Sequence, residues 1–204
     1  MNIALIGATG YVGSRVLQEA LTRGHQVTAI ARNVDKLPAQ LGLTAKAADF
    51  NDTAALASLL KGKDAVLLAV KFHSADGKQI LKAVHQADVA RLLAVGGAGS
   101  LQVPGGGPDV VDTPDFPAQW KDEALAAREF LRVLRQEKSL NWTSLSPSAL
   151  LEPGTRTGKF RTGTDHLLVD AQGNSKISLE DLAVALIDEL EKPQHSRGRF
   201  TAGY

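Results

Sequence analysis

The stretch Gly7-Ala-Thr-Gly-Tyr-Val-Gly13 places glycines at positions 7, 10 and 13, directly after an apolar run. Glycine adopts backbone conformations closed to other residues and leaves no side chain between the main chain and a ligand. Two readings fit this spacing. The stretch is a tight turn without a ligand, or something large and anionic lies against backbone N–H groups there. Its surroundings favour the second. Residues 2–6 read as a short buried strand. Residues 13–23 read as a helix, with Val16, Leu17, Ala20 and Leu21 on one face and Gly24 ending it. Between a strand and a helix, spaced glycines let a pyrophosphate approach the backbone, and the positive end of the helix faces its charge. The expected contacts to a dinucleotide are Gly7, Thr9, Gly10, Tyr11, Val12 and Gly13.

The end of the second strand, residues 26–31, tests which dinucleotide. A carboxylate about 20 positions past the glycines would hold the ribose hydroxyls of NAD, whereas an arginine accommodates the extra phosphate of NADP. Here the strand runs into Arg32, followed by Asn33 and Lys36. A guanidinium can form paired hydrogen bonds to a phosphate. The alternative is a solvated surface arginine, with Asp35 close enough to compete. The expected cofactor is NADP, with NAD left open.

His73, after the fourth strand, could donate a proton or be an ordinary loop histidine; a resemblance to the dehydrogenase superfamily implies two further catalytic candidates, Ser100, after the fifth strand, and Lys121, at the start of a long helix. Arg161 and His166 lie in a late loop, where Arg161 could meet a phosphate or carboxylate on a substrate. His25 and His195 read as structural. The five histidines show no paired spacing, so no metal site is expected. The chain has no cysteine, which excludes disulfides, thiolate catalysis and Cys-based metal sites.

Elements that could position these residues alternate along the chain. Further strands are expected at residues 44–48, 64–70, 91–95, 142–145 and 198–204. Helices are expected at 52–60, capped by Asp52, at 75–90, at 119–138, and from a Ser178 cap to Glu191. Repeated strand–helix units with near-continuous apolar strands imply an α/β fold: a Rossmann-type doubly wound parallel sheet with helices on both faces. The 204 residues fit a single domain, residues 1–204. Its Gly- and Pro-rich loops, at about 97–118 and 147–176, stand where ligands bind in such sheets.

Composition narrows the partners. The net charge of +1 provides no broad basic field for nucleic acid. No apolar run reaches the roughly 18–20 residues of a membrane span. No basic region or cleavage site precedes the first strand, so the expected location is cytoplasmic. Without a zipper or a long exposed apolar helix, a monomer is expected, with a dimer as the alternative.

The Gly7–Gly13 stretch also resembles the atypical short-chain dehydrogenase/reductase families. The resemblance implies that Asp49-Phe50 contacts the adenine amino group. It also implies that Val70-Lys-Phe and the Val95–Ser100 loop, with Gly96, run beside the cofactor. The tail SPSALLEPGTRTGKFRTG, followed by LLVDAQGNSKISLEDLAVALIDELEK, is similar to the small bacterial NAD(P)H-binding proteins named NADH-flavin reductases, close to NmrA-like and biliverdin reductase B proteins.

One departure from the wider superfamily bears on chemistry. Most of its dehydrogenases use Tyr-x-x-x-Lys, in which tyrosine is the acid or base and lysine holds the nicotinamide ribose. This chain reads Phe116-Pro-Ala-Gln-Trp-Lys121, with Pro117 at the tyrosine position; its two tyrosines are Tyr11 and Tyr204. Alcohol oxidation, and epimerisation or dehydration by that machinery, lack their acid. Hydride transfer to a flavin, quinone or similar planar acceptor needs mainly proximity and orientation. The expected function is therefore an NAD(P)H-dependent reductase of such an acceptor. The alternative is an NADP-binding redox-sensing regulator of the NmrA-like type, without turnover.

Overall fold

The structure, a computed structural model, describes residues 1–204. Five strands open the sheet: β1 (Asn2–Ile6), β2 (Gln26–Ala31), β3 (Leu43–Ala47), β4 (Ala65–Leu68) and β5 (Arg91–Val95). Helices α1 (Gly13–Thr22), α2 (Thr53–Leu60) and α3 (Gly77–Gln86) provide crossovers among them. Next come α4 (Ala118–Gln136), β6 (Asn141–Pro147), β7 (Leu150–Glu152), β8 (Arg161–Gly163), β9 (Lys176–Ser178), α5 (Leu179–Glu191) and β10 (Gly198–Gly203).

The main sheet has the order β3-β2-β1-β4-β5-β6-β10-β8. All its pairs are parallel except β10 with β8, an antiparallel edge. The strand order reverses between β1 and β4, and a crevice opens at such a point above the carboxyl ends of the strands. Strand periodicity divides the core in two. Ala4 and Ile6 face α2, α3 and α4, whereas Ile3 and Leu5 face α1 and α5. This is the doubly wound single domain expected from the alternation of elements.

Helix starts follow their side chains. Asp52 accepts from Ala55 N, Asp76 from Lys78 N and Gln79 N, and Ser178 from Asp181 N. The Asp76 cap explains why α3 begins at Gly77 rather than at residue 75. Residues 147–176 also hold more order than a loop: β7 pairs with β9 in a small second sheet, and β8 extends the main one. No helix is long and apolar enough to cross a membrane.

Candidate functional site

The glycine turn is built from two internal necessities and one opening. Gly7 has φ +86°, and a Cβ there would lie 2.2 Å from the Ala69 carbonyl oxygen and 3.1 Å from Val70 Cγ1. Gly13 lies under the same turn, where a Cβ would come within 2.0 Å of the Gly7 carbonyl oxygen. Packing alone therefore requires glycine at both ends. Gly10 differs: it is exposed, has no positive φ, and a Cβ would meet the Gly7 oxygen at 3.1 Å and the Ala69 oxygen at 3.7 Å. Its lack of a side chain matters mainly to whatever approaches from outside.

Helix α1 begins at this turn without a side-chain cap and with no acidic residue in its first turn. The N–H groups of Thr9, Tyr11, Val12 and Gly13 have no acceptor within the chain. Four adjacent donors at the positive end of a helix form an anion cradle. This donor set fits a pyrophosphate, and the bare Gly10 leaves room for it.

A pocket of about 350 Å³ lies beside this turn at the ends of β2 and β3, lined by Arg32, Ala48, Asp49, Phe50, Asn51 and Ser74. The structure thus brings Arg32, Asp49 and Phe50 together. Arg32 is exposed and makes no ion pair, and Asp35 does not neutralise it. Asp49 Oδ1 accepts the Asn51 N–H at 3.0 Å, which leaves its second oxygen free. Lys36 is exposed and stands outside the pocket. Asn51 and Ser74 were not evident as pocket residues. Asn51 directly follows Asp49-Phe50, but Ser74 comes from the far side of β4 and carries no local signal.

On the other side of the crevice, Gly96 ends β5 and donates its N–H to the Leu145 carbonyl at 2.8 Å. The turn that follows packs tightly under α4: a Cβ on Gly99 would lie 2.8 Å from Ala124 Cβ. Lys121 lies in the first turns of α4, exposed and without an ion pair or hydrogen bond. Pro117 is the N-cap residue of α4. The position four residues before Lys121 is thus outside the helix proper, and its residue has no donor to offer.

His73 follows β4 and is held by Glu123 of α4. One carboxylate oxygen of Glu123 accepts Phe72 N at 2.9 Å, and the other accepts His73 N at 3.0 Å. That second oxygen also lies 2.6 Å from His73 Nδ1, so Nε2 of the half-exposed ring is left unpaired. Glu123 had no local signal in the sequence. Ser100 is turned inward: it is buried, its hydroxyl donates to the Gly97 carbonyl at 3.1 Å, and Arg199 packs against it.

Other polar residues serve the scaffold. Arg161 donates to the carbonyls of Val169 and Tyr204, so its guanidinium ties the end of the chain to the late loop. His25 bonds Glu191 at 3.0 Å, and His195 bonds Glu189 at 2.8 Å while stacking on Phe200. Tyr204 donates to Asp181 at 2.8 Å. Asp181 is fully buried and also accepts from Thr157 N, Thr157 Oγ1 and Gly158 N. Burial pushes its carboxyl up, but these donors prevail and hold it below the ordinary aspartate value. Tyr11 is exposed in the glycine turn, its hydroxyl 3.5 Å from the Leu151 carbonyl.

The sequence model of the NAD(P)H-binding proteins matches residues 7–193, which spans the glycine turn, the pocket and α5. The chain belongs to this NAD(P)H-binding family. It is an atypical short-chain dehydrogenase/reductase of the NmrA-like group, as the glycine turn and tail implied. The Bacillus subtilis protein YwnB, itself uncharacterized, is 40% identical, with 98% of this chain and 97% of that protein covered. A Bacteroides thetaiotaomicron structure provisionally named an epimerase is 42% identical and superposes with TM-score 0.94, over 100% of this chain and 96% of that one. A Streptococcus pneumoniae structure provisionally named an NADH-flavin reductase is 33% identical with TM-score 0.87, over 100% of this chain and 99% of that one. The names of these relatives assign different chemistries to one fold, so the chemistry has to be argued from the residues.

Proposed function

We propose that this NAD(P)H-binding protein is an NADPH-dependent reductase of a planar conjugated acceptor, a flavin, a quinone or a similar ring system. The observation that carries the reading is Pro117. It stands where the acid of the superfamily should be, and α4 starts only after it. Neither tyrosine takes its place. Tyr204 is committed to Asp181, and Tyr11 stands in the glycine turn. A planar acceptor spreads the added charge over its own rings and draws its proton from solvent, so a missing protein acid costs it little. The same gap argues against epimerase chemistry of the Tyr-Lys type.

Bound NADPH would supply the hydride. The chain's own residues bind and orient. The N–H groups of Thr9, Tyr11, Val12 and Gly13 would receive the pyrophosphate, and Gly7 and Gly10 shape the approach. Arg32, unpaired in its pocket, would take the 2′-phosphate, with Lys36 adding longer-range attraction. Asp49 and Phe50 would hold the adenine. Val70 and Gly96 would border the nicotinamide half, and Lys121 would hold its ribose. His73 offers Nε2 at the same end, with its ring fixed by Glu123. The inward hydroxyl of Ser100 supports a part in shaping the 97–100 turn rather than in proton transfer.

The test is NADPH consumption with a panel of FMN, FAD and quinones. Turnover supports the reductase. Tight NADP binding without turnover of any planar acceptor would favour the sensing regulator.

A further inference from the structure

We infer that Trp120 is the platform on which the acceptor stacks; this rests on the reductase reading above. Trp120 is 58% exposed, yet it lies in the register of the buried face of α4. At about 100° per residue, it falls within about 40° of Ala124, Ala127 and Leu131. Those three residues are buried. Trp120 should therefore be core, and its exposure has a specific cause.

The cause is the length of the helix against the strand it covers. Helix α4 has 19 residues and β5 has 5. At about 1.5 Å per helical residue and 3.3 Å per strand residue, the helix is about 12 Å longer. In a parallel crossover the helix N-terminus lies at the carboxyl ends of the strands, the end that holds the glycine turn. The inner face of α4 is already filled up to the turn after β5. A Cβ on Gly97 would lie 3.5 Å from Ala127 Cβ, and one on Gly99 would lie 2.8 Å from Ala124 Cβ. Trp120 is the next position on that face, one turn beyond Ala124, and more than half of it is open to solvent. Side chains on a helix lean toward its N-terminus, so the indole projects past Ala124 and the 97–99 turn beneath it, on the carboxyl-end side of the sheet.

Its neighbours on the helix add to the argument. Glu123, holding His73, is about 60° to one side, and Lys121 is about 100° to the other. The indole thus lies between the two residues assigned above to the nicotinamide end. An exposed indole in that position offers a flat apolar face to a flat acceptor, and offset stacking rewards that fit beyond area alone. It also rationalises why planar rings, rather than small ketones, would be retained at this site.

The experiment compares W120A and W120F with wild type, using FMN as the acceptor. W120A should raise the KM for FMN about tenfold, the size of one lost stacking contact. The KM for NADPH and the Tm should stay unchanged, and W120F should recover most of the loss. An unaltered FMN KM in a W120A protein that still turns over would overturn the platform and leave the reductase standing. So would equal losses for FMN and NADPH, or loss of a dimer in W120A without a change in FMN KM. A wild type that turns over no planar acceptor would overturn the reductase reading instead. The platform is then read by fluorescence of the NADP-loaded protein. Trp142 is 3% exposed and serves as internal reference. Quenching by FMN beyond that seen in W120A supports the platform, and equal quenching overturns it.

Discussion

Gly13 lies so close beneath Gly7 that a Cβ on the first would sit 2.0 Å from the carbonyl oxygen of the second. The two ends of the glycine turn are thus fixed by the fold, and Gly10 is the position between them that faces outward. Gly13→Ala should destabilise the protein by about 1–3 kcal/mol, the range for overpacking a core, read as a lowered Tm. Gly10→Val should keep most of the stability but block the approach to the free N–H groups. Losing about two hydrogen bonds to a charged ligand predicts at least about 100-fold weaker NADPH binding by titration. A folded Gly10→Val protein with wild-type affinity would remove the cradle from the site.

Arg32 supports a second prediction, on cofactor choice. It shares a pocket with Asp49 and Phe50 and has no ion-pair partner within the chain. Arg32→Ala should weaken NADPH binding by about 1.5–3 kcal/mol, the value of a charge-assisted hydrogen bond, while NADH binding hardly changes. Equal losses for both nucleotides would show that the guanidinium does not read the phosphate.

The parts of this molecule legible in its sequence are those governed by short-range physics. Asp52 and Ser178 announce helix starts because a side-chain cap acts within three residues. The apolar runs of β1, β2, β4 and β5 announce buried parallel strands because both faces are covered. The pocket at Arg32 was legible in part: Asp49 and Phe50 follow from motif, but Ser74 arrives from another crossover. Glu123 was illegible for the same reason, since its partners Phe72 and His73 are about 50 residues away. The hold of Arg161 on the Val169 and Tyr204 carbonyls was illegible because its loop becomes β8, paired with a strand near the end of the chain. The exposure of Trp120 depends on how far α4 overhangs β5, a relation between two elements that no local pattern encodes.

Protonation of Asp181 should loosen the late segment in acid. Its carboxyl is buried, and its donors hold it below the ordinary value in the folded state. A lowered folded pKa means that the unfolded chain binds the proton more readily. The stabilisation is then fully present above the unfolded value of about 4 and is lost as pH falls through the folded value. Asp181→Asn keeps an acceptor for the Thr157 and Gly158 N–H groups but gives up the charge. It should cost about 1.5–3 kcal/mol near neutrality, and the difference from wild type should shrink in acid. Urea unfolding of both proteins across that range measures it. A gap that stays constant with pH would show that Asp181 contributes through shape alone.

The last prediction concerns the reaction itself. With Pro117 at the tyrosine position, an aliphatic ketone would build negative charge on its oxygen with no tyrosine to protonate it, and its barrier should stay high. A flavin or quinone avoids that demand. The protein should therefore oxidise NADPH with FMN, FAD or a quinone, turn over simple ketones little, and show a shallow pH dependence around neutrality. Lys121→Ala should act mainly on nucleotide placement, seen as a raised KM for NADPH, because Lys121 is exposed and has no internal partner to activate. His73→Ala should lower kcat with planar acceptors only modestly, since solvent can supply the proton. Glu123→Gln should have the larger effect on the loop, because both of its oxygens are already in use at Phe72 and His73. Fast, steeply pH-dependent reduction of a simple ketone, abolished in His73→Ala, would overturn this account. It would make the His73–Glu123 pair the acid that the sequence otherwise lacks.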